Sequence, residues 1–315
     1  SPDPGDRHGT AVAGIISAVA SNGTSTAGVA PGCRFLPLRV YNESLGADEI
    51  LWADAITYAA DKADVISISA YIYPSFAAQE ALRYAASRGR SGLGCVICTA
   101  LGNSGVRRRY SGDLASAAEV ISISALSNYG RRSFFGDYGP ALNVMCPGGG
   151  GSINIYTTDW TGTNGYSDTY WHAWYGGTSA AAPMGAGVAA LLFSINPTWP
   201  GIKVRAVIEG TCDPVDTASY DYGAQGWNDQ YGYGRVNAWS ALSYTGETWD
   251  VYEPDGGTNS ASQIFDGQMQ YRAIDPGGEQ DWAYTVLSND ADICLTVVGT
   301  TNADITLYNS SSNMV

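Results

Sequence analysis

The chain has almost no lysine: Lys62 and Lys203 are the whole complement, and arginine supplies the other cations. Lysine and arginine together number 16 against 30 aspartates and glutamates, a formal charge of −14. So acidic a surface repels phosphate backbones and anionic lipid, which excludes nucleic acid and a negatively charged membrane face as partners. Histidine is equally scarce. Only His8 and His172 are present, so any imidazole chemistry falls on one of these two. No paired C-x-x-C pattern of the zinc-binding kind occurs among Cys33, Cys95, Cys98, Cys146, Cys212 and Cys294. Buried free thiols and one or more disulfides both stay open. No signal peptide is visible. The charge-free run from Ser179 to Ile195 is short and carries Pro183, Gly185 and Gly187, so it reads as a core helix and not a membrane span. With 45% hydrophobic residues and nine tryptophans, disorder is excluded as well.

What is present is an alternation of short apolar strands with helices. Apolar Val12, Ile15, Ile16 and Val19 share one face of a predicted helix from His8 to Val19. Further helices are expected over 47–61 and 77–87, and strands over 35–40, 65–69, 95–101 and 120–124. This order predicts a three-layer α/β fold with a mostly parallel sheet and helices on both faces. Residues 148–177, rich in Gly, Thr, Asn, Tyr and Trp, are expected to form surface beside whatever site Ser179 belongs to. The pattern changes near Tyr244. A polar linker is expected over 246–262 and strand-like alternation from 263 to 315.

The stretch around which the chain is organised is Gly176-Gly177-Thr178-Ser179-Ala180-Ala181-Ala182-Pro183. Paired glycines permit a sharp turn into a helix, and a hydroxyl at that positive end becomes a nucleophile when a base is near. This stretch resembles the serine motif of the subtilisin-like serine peptidases (subtilases). His8-Gly9-Thr10 and Gly102-Asn103-Ser104-Gly105 resemble two further motifs of that family, in the family's order. The resemblance covers residues 1 to about 245, closing with Gly232-Tyr233-Gly234-Arg235-Val236-Asn237-Ala238. It implies a secreted serine endopeptidase working through an acyl-enzyme, with protein or peptide substrates, no required cofactor and a monomeric state. A catalytically inactive, peptidase-like binding protein is the alternative. An esterase of the G-x-S-x-G kind is disfavoured, since no such elbow surrounds Ser179 and His8 precedes the serine.

By this resemblance Ser179 is the nucleophile, His8 the general base and then acid, and Asn103 a donor to the tetrahedral oxyanion. His172, in Tyr170-Trp171-His172-Ala173-Trp174, is the competing imidazole and reads as a loop residue near the cleft. The family pairs the substrate strand with segments matching Ser69, Ala70 and Tyr71 on one side and Ala100, Leu101 and Gly102 on the other. Tyr71 and Leu101 replace smaller residues and are expected to narrow the primary pocket. Gly-Gly-Thr-Ser-Ala-Ala-Ala-Pro has kexin-like features, yet the acidic pocket residues of that branch are missing. Arg107-Arg108-Arg109 stands there instead. The family's triad aspartate lies on an earlier strand. It is expected upstream of Ser1, which would leave residues 1–315 alone almost inactive. Structural calcium is common in the family; Asp213, Asp216, Asp221, Asn228 and Asp229 offer suitable oxygens but no EF-hand spacing, and a solvated acidic loop is the simpler reading. No other metal site is expected. Residues 263–315, with Glu253-Pro254-Asp255 ahead of them and Asp281-Trp282-Ala283-Tyr284 and Leu307-Tyr308 within, resemble part of a bacterial pre-peptidase C-terminal domain, a small β-sandwich.

Overall fold

The computed structural model describes residues 7–246, apart from 25, 43–45, 48, 73–74, 109–112 and 224–225, and the backbone of 262–263 and 283–284. The chain divides into two compact units, Ser1–Thr285 and Val286–Val315, and every described residue lies in the first. The linker and C-terminal domain expected from the sequence fall almost wholly outside the described residues.

Helix α1 spans Arg7–Ser17. A two-residue hairpin, β1 (Tyr41–Asn42) and β2 (Gly46–Ala47), leads into α2 (Glu49–Ala60). Strand β3 (Val65–Ile68), helix α3 (Phe76–Arg88), β4 (Val96–Ala100), β5 (Ile121–Leu126) and β6 (Val144–Pro147) follow. The sheet runs β3-β4-β5-β6, parallel throughout. A second hairpin, β7 (Ile155–Thr158) against β8 (Trp171–Tyr175), precedes α4 (Thr178–Ile195), α5 (Gly201–Gly210) and α6 (Ala238–Leu242). Two-residue strands β9 (Ser262–Gln263) and β10 (Ala283–Tyr284) pair in parallel.

The layers follow from strand alternation. On β4, Val96, Cys98 and Ala100 face the cluster made with α4 and α5, while Ile97 faces the one made with α2 and α3. All five residues of β4 are buried, which is why its sequence is continuously apolar and does not alternate. Helix α4 runs through the larger cluster against Ile121, Ile123, Val144 and Cys146. Its small residues are required there. A Cβ on Gly185 would collide with the end of Ile123, and one on Gly187 would sit 2.6 Å from Val29 Cβ. Among the described residues α4 is the one helix long and apolar enough to cross a membrane, but it is packed inside the domain.

Three expectations need correction or completion. Residues 35–40 form no strand. Phe35, Leu36 and Leu38 remain exposed and pair with no neighbour among the described residues; propensity favours an extended chain, but a ladder needs a partner. β6 and α5 carry no clear sequence periodicity, because both are buried nearly all round. The segment before Ser179 is not plain surface: it contains the β7–β8 hairpin, with Thr157, Asp159 and Tyr175 buried. Of the cysteines, Cys33, Cys95, Cys98, Cys146 and Cys212 are free thiols, and burial pushes those of Cys95 and Cys98 up to about 12. Cys294 lies outside the described residues.

Candidate active site

Gly177 sets the entry to α4. Its φ of +101° is a left-handed conformation that a side chain disfavours, and its N–H bonds Gly148 O at 2.8 Å. The helix starts at Thr178, so Ser179 stands in the first turn, and its own N–H has no backbone acceptor among the described residues. Pro183, four residues on, has no N–H to offer the Ser179 carbonyl. The Ser69 hydroxyl fills that vacancy, donating to Ser179 O at 3.0 Å. In return the Ser179 hydroxyl donates to Ser69 O, at a longer 3.4 Å. The end of β3 and the start of α4 are thereby tied to each other.

Asn103 follows β4 and is exposed. Its Oδ1 accepts the Thr178 N–H at 2.8 Å and the Thr178 hydroxyl at 3.0 Å, while Gly102 N–H donates to that hydroxyl at 3.3 Å. A backbone N–H can only be met by the amide's oxygen, so the amide orientation is fixed. Its Nδ2 is left as a donor beside Gly177, 3.3 Å from where a Gly177 Cβ would lie.

His8 sits in the first turn of α1, and the hairpin holds that helix. Thr157 and Thr158 hydroxyls donate to Ala11 O at 2.6 Å and Thr10 O at 2.9 Å. Arg7 donates to Gly165 O at 3.1 Å and lies 4.6 Å over the Tyr166 ring. The His8 imidazole meets Tyr175 edge to face, 5.9 Å between centroids, and desolvation by the packed surroundings lowers its pKa from the ordinary value although one side stays exposed. Among the described residues no hydrogen bond joins His8 to Ser179, whose hydroxyl is turned to Ser69. His172 lies on β8, stacked on Tyr166 at 5.2 Å. Both histidines therefore border one aromatic group. Ala11 and Ile15 of α1 pack with Tyr175 and Ala180, which places the His8 helix directly against the serine helix.

Ser69, Ala70 and Tyr71 leave the C-terminal end of β3, and Leu101 and Gly102 leave that of β4 after Ala100, so the two segments are neighbours beside Ser179. Ala70 and Tyr71 are exposed. Leu101, only 2% exposed, turns its side chain into a cluster with Leu126, Leu142 and Met145. It therefore does not narrow a pocket at the surface. The arginine run also differs from expectation. Arg107 pairs with Asp229 at 2.6 Å and Arg108 with Asp137 at 2.7 Å, acids distant in sequence but adjacent in the fold. Arg109 lies outside the described residues.

The acidic loop does not fit a calcium ion. Asp213 binds Arg235 and Asn237, Asp229 binds Arg107, and Asp216 accepts from Ser219 and Tyr231. Asp221 Oδ1 accepts Gly223 N–H, and Asn228 Oδ1 accepts two backbone N–H groups of its own turn. Among the described residues no cluster of three or more His, Cys, Asp or Glu could hold a metal. Sequence reasoning missed the buried Asp137, the Tyr175 contact on His8 and the Thr178 bonds to Asn103. Only Tyr175 and Thr178 had a signal, their adjacency to Ser179.

Comparison with known proteins gives a consistent picture. The profile of the Subtilase family matches residues 1–234. A calcium-dependent protease of Trichormus variabilis is 36% identical over 275 residues, covering 76% of this chain and 40% of that protein. The chain thus spans well under half of that relative's length. Thermitase of Thermoactinomyces vulgaris is 35% identical over 247 residues, covering 78% of this chain and 77% of it. Among solved structures, proteases from Pseudoalteromonas arctica superpose with a TM-score of 0.63 at 25% identity, over 76% of each chain.

Proposed function

Since the chain belongs to the subtilase family, we propose that it is a secreted serine endopeptidase acting on protein or peptide substrates as a monomer. In this reading the Ser179 hydroxyl attacks the scissile carbonyl and His8 takes its proton. The oxyanion is held by the Asn103 Nδ2 and the free Ser179 N–H, and the acyl-enzyme forms as His8 protonates the leaving amine. Water then repeats the steps. The observation that carries the reading is the Asn103 amide, whose oxygen accepts the N–H of Thr178, the residue before Ser179, and whose Nδ2 lies beside Gly177. A substrate strand entering between Ser69-Ala70-Tyr71 and Ala100-Leu101-Gly102 would claim the Ser69 carbonyl, releasing the Ser179 hydroxyl toward His8. Secretion rests on the resemblance. The kexin-like serine motif does not extend to dibasic cleavage, since arginines stand where that branch has acids. Calcium dependence, named for the T. variabilis relative, stays a property to test here, because each of the loop's carboxylates already has a partner within the protein. Residues 263–315 are read as part of an accessory β domain.

The test is fluorophosphonate labelling of the full protein that carries these 315 residues. Labelling at Ser179 that vanishes in a folded Ser179→Ala variant is expected. No labelling of a folded wild type would instead favour the alternative, an inactive peptidase-like binding protein.

A further inference from the structure

Asp137 is fully buried and belongs to none of the site's motifs. Its surroundings nevertheless converge on the Asn103 loop. The Asp137 N–H donates to Gly102 O at 3.0 Å, the residue before Asn103. One carboxylate oxygen, Oδ1, accepts the N–H of Ser104 at 2.9 Å and of Val106 at 3.0 Å, just after it. The loop is thus gripped on both sides of Asn103 by one residue. The other oxygen, Oδ2, takes the Arg108 Nε at 2.7 Å, so the loop's own downstream arginine folds back to close the clasp. Asp137 is itself anchored: its carbonyl accepts the Ser124 hydroxyl of β5 at 2.6 Å. Gly102 has to be glycine for this approach, because its φ is +134° and a Cβ would collide with Asp137 Oδ2. A buried carboxylate is expensive unless its lone pairs are met, and here they are met by two loop N–H groups and a guanidinium. That cost is offset only when the loop holds this one shape.

We propose that Asp137, closed by Arg108, is the positioning residue for the Asn103 amide. It fixes the backbone on which the oxyanion donor stands, without touching substrate. This rests on reading Asn103 as that donor. An oxyanion donor acts through its exact placement, and displacement by about 1 Å can cost on the order of a hundredfold in rate.

The experiment is a double-mutant cycle in the full-length active protein, measuring kcat, KM, the inhibition constant of a peptide aldehyde and urea stability. Asp137→Ala is expected to lower kcat by about tenfold to a hundredfold, with KM within about twofold and aldehyde affinity falling in step with kcat. In an Asn103→Ala background the same change should lower kcat by less than about twofold, while its stability cost persists. If Asp137→Ala does not fold, Arg108→Met leaves the carboxylate in place but unclasped. It should show the same pattern with a smaller fall. An equal fall in both backgrounds, or a loss confined to KM, overturns the proposal while leaving Asn103 as donor. An Asn103→Ala variant with unchanged kcat overturns both.

Discussion

The reciprocal pair between Ser69 and Ser179 gives a sharp quantitative expectation. Pro183 removes the N–H that would normally bond the Ser179 carbonyl, and the Ser69 hydroxyl replaces it at 3.0 Å. Ser69→Ala deletes the replacement and leaves a carbonyl without a partner in a half-buried place. An orphaned buried acceptor costs about 1–3 kcal/mol. Partial access to water at this site puts the expected loss in the lower part of that range, about 1–2 kcal/mol. For a domain of this size each kcal/mol lowers Tm by roughly 2–4 °C, so a fall of about 2–8 °C is expected. Pro183→Ala restores an N–H at the proper helical position. In that background Ser69→Ala should therefore cost less than about 0.5 kcal/mol, since Ser179 O is satisfied from within the helix. Urea denaturation of the four proteins, in the Ser179→Ala form to prevent self-digestion, measures the coupling. Equal costs of Ser69→Ala in both backgrounds would refute the reasoning, because the hydroxyl would then not be standing in for the missing helical bond.

Other outcomes follow from charge and burial. His8 should titrate below 6.5 in an NMR experiment, with its signal assigned by loss in His8→Gln, since desolvation disfavours the imidazolium. The folded state then binds that proton less readily than the unfolded state, so its contribution should reduce stability as pH falls through 6.5 toward the folded value. The Asp213 carboxyl is held below its ordinary value by Arg235 and then Asn237. Its stabilisation is present above about pH 4 and lost as pH falls through the lower folded value, and Asp213→Asn should flatten urea midpoints across that window. Native protein should react slowly at Cys95, Cys98 and Cys146 with a thiol reagent at pH 8, because burial suppresses the thiolate; mass-spectrometric mapping before and after urea checks this. Any shift of Tm by calcium should survive Asp213→Asn, Asp216→Asn and Asp229→Asn, whose carboxylates are engaged elsewhere.

Much of the fold was legible because its signals are local. α1, α2, α3, β3, β4 and β5 lie within a few residues of where periodicity and apolar runs put them, and the serine helix is announced by Gly177 and by a run of small residues. β6 and α5 were hidden because buried elements lose the contrast between faces on which periodicity depends. The strand expected at 35–40 failed for the opposite reason: its propensity is real, but pairing is not a property of one segment. The site shows the same division. Ser179, His8 and Asn103 are carried by short motifs. What orients them is contributed from far away in sequence: Ser69 lies 110 residues before Ser179 and Asp137 lies 33 residues after Ser104. Asp229 and Asp137, which pair with Arg107 and Arg108, are distant as well, and only Asp113, 3.8 Å from Arg108, is near in sequence.

Helix α4 carries Ser179 at its first turn and then forms the centre of the main core, with Ala181, Ala182, Ala186, Ala189 and Leu192 wholly or almost wholly enclosed. The end that carries Ser179 is continuous with the core and is therefore expected to keep its place while the domain stays folded. In the proposed reading, binding at Ser179 and global unfolding are linked equilibria, so an occupant of Ser179 is expected to stabilise the layers packed on that helix. An inhibitor that binds only the folded form at a hundred times its Kd should raise unfolding free energy by about 2.7 kcal/mol, and a single cooperative melting transition, not a local one, should report it. In the proposed reading the same coupling confines variation in specificity to the segments that leave the C-terminal ends of β3 and β4, since any change in α4 that reshapes the site also repacks the core.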